Sequence, residues 1–124
     1  MRTLWARAGL ALGALIGRIA ALFLGQLDAF DDRVGPWRVR VIRVRRLIPA
    51  WAGAQTLGGV ILLRADQPWA WHRNHELVHV CQWARLGPLF PLVYLALALR
   101  YGYYMHPFEV EARGEKPPCE GGER

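Results

Sequence analysis

The chain has 124 residues, 53% of them hydrophobic and 21% charged. That is enough for one domain with a modest core, and it excludes both a polytopic membrane protein and a chain disordered over most of its length. The net charge of +6 rests on arginine, with Lys116 the only lysine; it follows from an Arg-, Ala-, Leu- and Gly-rich composition. The partner such a surface favours is an anionic membrane, and nucleic acid is not expected. Cys81 and Cys119 have no CxxC spacing, so neither a cysteine zinc site nor a disulfide framework is expected, and a reducing, cytoplasmic compartment is favoured.

In chain order, Met1 to about Leu27 reads as a helix. Only Arg18 and Gln26 interrupt the apolar run from Ala8 to Leu27, a length that could span a bilayer. Gly9, Gly13 and Gly17 recur at a spacing that lets another segment approach closely. A charge at Arg18 is costly in mid-membrane. At about 100° per residue, Arg7, Ala11, Ala14, Arg18, Ala21 and Gly25 share one small, partly charged face. Trp5, Leu12, Ile16, Ile19, Phe23 and Leu27 share the broad opposite one. A helix packed on the domain, or attached to the inner face of a membrane, is expected ahead of a free span, with a signal peptide third.

Gly35-Pro36 is a break. Trp37–Ile48 then reads as a strand of alternating Val and Arg, with a slip in phase at Ile42 that suggests a bulge; its arginine face is expected to be solvated. A second strand, Gln55–Arg64, contains Gly58-Gly59, and the short connection predicts antiparallel pairing with the first. Asp66-Gln67-Pro68 starts a helix that runs from Trp69 to Leu86 and stops at Gly87-Pro88. Leu89–Tyr104 reads as an apolar helix, expected in the core because its apolar stretch is too short to span. Pro107–Arg113 reads as a last short helix. The expectation is an α+β domain over 1–113, with an N-terminal helix (1–27), a short antiparallel sheet and three further helices, followed by a disordered tail, 114–124.

The chemistry lies in His75-Glu76-Leu77-Val78-His79, an HExxH motif. On a helix, residues i and i+4 share a face one turn apart, so both imidazoles can hold one ion. Glu76 lies about 100° around, placed to take a proton from water acidified by zinc. Such a site needs a third protein ligand and one open position. Gln82 and Arg85 stand where an HExxHxxGxxH pattern would have glycine and histidine, which leaves Glu109 and Glu111 downstream. His72 lies three residues before His75 and is expected to be an exposed helix residue.

These stretches, His75-Glu76-Leu77-Val78-His79-Val80-Cys81-Gln82 and His106-Pro107-Phe108-Glu109-Val110-Glu111-Ala112, resemble small bacterial gluzincin-like metallopeptidases, the minigluzincins, and bacterial families with an HELxHxxQ helix and a later NPFExEA-like segment. The resemblance covers about Gln55 to Arg113. It implies Zn2+ as cofactor and Glu111, which is followed directly by alanine, as third ligand, with Glu109 as second choice. It places Glu115 as a support for a zinc histidine, and it gives the strand Gln55–Leu63 the task of pairing with an extended peptide or protein substrate. Tyr101, Tyr103, Tyr104 and His106 are candidates for transition-state stabilisation. The expected function is zinc-dependent hydrolysis of peptide bonds. The alternative is an inactive zinc-binding or membrane-surface scaffold.

Overall fold

A run of Leu and Ala without proline forms α1 (Arg2–Phe23), and Gly25, at φ 81°, turns the chain out of it. In the structure, a computed structural model describing residues 2–114 and Cys119, four strands follow: β1 (Gln26–Val34), β2 (Trp37–Val44), β3 (Ala54–Leu57) and β4 (Val60–Arg64). The rest comprises α2 (Trp69–Leu86), a 3₁₀ turn at Gly87–Leu89, α3 (Phe90–Tyr101) and α4 (Pro107–Gly114). The architecture is α+β with an N-terminal helix. Glu115 and, apart from Gly114 and Cys119, the expected tail lie outside the described residues.

The sheet differs from the expected one in three ways. The polar stretch after α1 is itself a strand: β1 pairs antiparallel with β2, and its aspartates answer the arginines of β2, Asp31 with Arg40 at 2.9 Å and Asp28 with Arg43 at 3.0 Å. The second expected strand is a hairpin, turned at Gly58-Gly59 with Leu57 opposite Val60. Its return strand β4 lies parallel to β2, giving the order β1-β2-β4-β3 and leaving β3 at the edge. The parallel pairing is feasible because the loop 45–53 and β3 together supply the crossover.

The slip at Ile42 is no bulge in β2. Val39 and Val41 join the cluster beneath α2, with Ile61, Leu63 and Leu77, while Ile42 and Val44 join the opposite cluster, with Val60, Leu62, Ala21 and Leu24. Alternation thus stays in phase, and cover changes from one face to both along the strand. The extra residue sits in β1, between Gln26 and Ala29.

The face of α1 that docks is the buried one of Ala6, Gly9, Leu10, Gly13 and Gly17, not the face of Arg7, Ala11 and Arg18, which is exposed. A Cβ on Gly9 would strike the Gly87 backbone, one on Gly13 the backbone of Gly58, and Gly59 N–H donates to the Leu10 carbonyl at 3.1 Å. The glycines of the hairpin thus admit α1. At its outer side α1 leaves Leu12, Leu15, Ile16, Ile19, Leu22 and Phe23 exposed. Thr3–Phe23 is long and apolar enough for a signal or membrane helix. Nor is α3 the core helix expected from its composition, since Phe90 alone of its residues is buried.

Two further contacts tie the layers together. Cys81 on α2 is bonded to Cys119 (Cα–Cα 5.7 Å), which overturns the expectation of unpaired cysteines: a separation of 38 residues carries no pairing signal until the chain returns to α2. Across the other edge, Asp32 accepts from Trp69 Nε1 at 2.8 Å and from Arg73 Nε at 2.9 Å. Burial raises the Asp32 pKa, but the bonds from Arg73 and Trp69 outweigh it and hold the carboxyl below its usual range. Asp32→Asn is therefore expected to cost about 1–3 kcal/mol at neutral pH, measured by urea unfolding. A folded pKa below the unfolded one means that this contribution is full above the ordinary carboxylate pKa and is lost as pH falls below it. The variant's deficit should shrink accordingly in acid.

Candidate metal centre

The site is built on α2 and completed by α4. One turn apart on α2, His75 Nε2 and His79 Nε2 lie 3.3 Å from each other. Glu109 Oε1 on α4 closes the triangle, 3.1 Å from His75 Nε2 and 3.2 Å from His79 Nε2. These three side chains form a group able to hold a metal ion. Two imidazole nitrogens and a carboxylate oxygen converging on one point make a donor set that suits a divalent transition metal.

Glu109, not Glu111, faces the histidines. Two residues apart on a helix, the carboxylates point about 200° away from each other, so only one can turn to the ion. The phase of α4 is set at its start: His106, fully buried, accepts the Phe108 N–H on Nδ1 at 3.1 Å and donates from Nε2 to the Tyr94 carbonyl at 2.9 Å. That anchor turns Glu109 inward. Glu111 instead accepts from Gln82 Nε2 at 2.7 Å and lies 3.8 Å from Arg85.

A chain of hydrogen bonds holds the ligands in place. Gln82, fully buried, accepts the His79 Nδ1–H at 2.8 Å and so leaves Nε2 free to ligate, while its amide donates to Glu111 and to the Phe108 carbonyl. On the other side, Tyr94 O–H donates to Glu109 Oε2 at 2.6 Å. Glu76, at 5% exposure, accepts from the Thr56 hydroxyl on Oε1 at 2.7 Å, which ties it to β3.

The electrostatics favour a cation. Burial pulls the His79 pKa down, but the hydrogen bond to Glu109 and the charges of Glu76 and Glu109 win and push it up to about 9. Burial raises Glu109, yet the bonds from His75 and His79 hold it far below the carboxylate range. Burial and the Glu109 bond push Tyr94 upward, so it remains a protonated donor. Tyr103 is raised likewise, by burial and by the charges of Glu109 and Glu76.

His75, Glu76, His79 and Glu109 form the floor of a cleft of about 460 Å³. All four residues of β3 line it, as do Trp83, Phe90 and Tyr94, and its rim includes Ile16, Trp51, Pro91 and Tyr103. Trp51 and Tyr103 meet edge-on, with centroids 5.5 Å apart. Of the expected stabilisers only Tyr103 borders the cleft. His106 uses both nitrogens structurally, and Tyr101 and Tyr104 are exposed outside it. His72 is half-buried, not exposed, and pairs with Gln67 at 2.8 Å. Sequence reasoning missed Tyr94 and Thr56. The signal for Tyr94 was there, as the one polar head within the apolar run Leu89–Leu99.

No known family model, curated protein or solved structure matches the chain. The reading of the site therefore rests on its residues and their geometry.

Proposed function

We propose that the chain is a zinc-dependent hydrolase that cleaves peptide bonds. The observation that carries this reading is the convergence of His75, His79 and Glu109 on one point beside a buried Glu76 in an open cleft. Those three residues would hold Zn2+ as two histidines and a glutamate, the donor types of the gluzincin-like pattern, with Glu109 in the place that the resemblance gives to Glu111. Bound there, the ion supplies Lewis acidity, acidifying water and polarising a carbonyl.

The chain's own residues supply the rest. Glu76 accepts the proton of the attacking water and returns it to the leaving amine, and Thr56 fixes the carboxylate for both transfers. Tyr103, kept protonated, offers an O–H at the rim where charge develops on the substrate. As an edge strand lining the cleft, β3 can pair its outer side with an extended peptide. Trp51 and Tyr103 flank the approach to the floor.

The test is turnover by the full chain on a library of short fluorogenic peptides. Cleavage should stop with a chelator and return with stoichiometric zinc. Metal binding without cleavage of any peptide would move the protein to the non-catalytic zinc-binding class, and cleavage indifferent to the chelator would overturn the metal mechanism.

A further inference from the structure

The cleft has a polar floor and an apolar rim. Glu76, His79 and Glu109 are buried at its base, whereas Ile16, Trp51, Pro91 and Tyr103 at its edge are exposed. That rim continues outward on both sides. On α1 the exposed Leu12, Leu15, Ile19, Leu22 and Phe23 fall within one sector by 100° per residue, with Ile16 at its cleft-side border and Arg7 and Arg18 at the other. On α3, Leu92, Leu95 and Leu99, at 67%, 57% and 81% exposure, share one face, with Arg100 at its edge. Water is a poor solvent for two such faces flanking one cleft.

The groups around this surface indicate what covers it. At the end of α1, the exposed Arg45 and Arg46 follow β2, and Arg46 reaches the Phe23 carbonyl at 3.3 Å. At the end of α3, Arg100 lies over the Tyr101 ring at 5.5 Å and Arg113 over the Tyr104 ring at 4.5 Å. Apolar faces bordered by arginine and tyrosine match the depth profile of a membrane interface, with side chains among the acyl chains and cations at the headgroups. On β2, by contrast, Arg40 and Arg43 are matched by Asp31 and Asp28 of β1. Beside the two apolar helices the exposed Arg45, Arg46, Arg100 and Arg113 supply positive charge.

We propose that the rim of the cleft lies against an anionic lipid bilayer, with the outward faces of α1 and α3 in the interface, so that the site is presented to chains at the membrane surface. This deepens the hydrolase reading and rests on it for the cleavage of the chains so presented, but the docking itself does not depend on turnover.

The full chain should float with phosphatidylcholine vesicles containing phosphatidylglycerol, and much less with phosphatidylcholine alone. Leu95→Asn combined with Leu99→Asn should weaken binding about tenfold or more, and so should Arg45→Glu with Arg46→Glu. Acyl-brominated lipids should quench tryptophan fluorescence, and Trp51→Phe should lower the quenched fraction if the rim faces the bilayer. Absence of flotation, flotation unchanged in both double variants, or quenching unaffected by Trp51→Phe overturns the proposal. So does a dimer that dissociates in the leucine variant, since a second copy would then cover the faces. Metal content read on the same samples separates the two readings: metal retained without flotation sinks the docking alone, and flotation without metal sinks the hydrolase alone.

Discussion

Glu109→Ala is expected to strip the metal from the protein, while Glu111→Ala leaves it bound. Glu109 Oε1 is the acceptor shared by His75 and His79, and its removal takes from the site its one anionic ligand. Glu111 acts two bonds away: it fixes the Gln82 amide, which in turn fixes the Nδ1–H of His79. Losing such an outer partner costs roughly 10–100-fold in metal affinity, and Glu111, one step further out than Gln82, should fall at the low end. Glu109→Ala should exceed that range. Titration of purified variants against a chromophoric chelator gives both affinities. The gluzincin-like resemblance taken alone predicts the reverse order, so a larger loss in Glu111→Ala would show that α4 turns in solution to present its other carboxylate.

Glu76→Gln should retain zinc and the fold and lose hydrolysis by about 10²–10⁴-fold, the range for removing a general base. The amide is isosteric and can still accept the Thr56 hydroxyl on its oxygen, so the geometry at β3 survives. What it cannot do is take a proton from water at neutral pH. Glu76 is not one of the three side chains grouped to hold the ion, so metal stoichiometry should match the parent. Kinetics on a peptide found by the library screen, with metal content measured in parallel, separate the cases. Parent-level turnover in this variant would remove Glu76 from the chemistry, and metal loss would make it a structural support of the site.

Local sequence alone determined the helix bearing the motif. Its bounds, Trp69 to Leu86, follow from the proline before it and the glycine after it, and the i, i+4 spacing of His75 and His79 converges by helix geometry wherever that helix is placed. The α+β pattern was legible for the same reason, because helix periodicity and strand alternation are local properties. Tertiary structure decided what depends on partners. Glu109 and Glu111 are equivalent in composition, and only the anchoring of α4 by His106 chooses between them. The slip at Ile42 looked like a bulge because a sequence cannot tell a change of phase from cover arriving on the second face; Ala21 of α1 and Leu24 just after it supply that cover. Composition marked α3 for the core, yet hydrophobicity records only a preference for leaving water. Whether protein or lipid receives the side chain is settled by which surfaces the fold leaves open beside it.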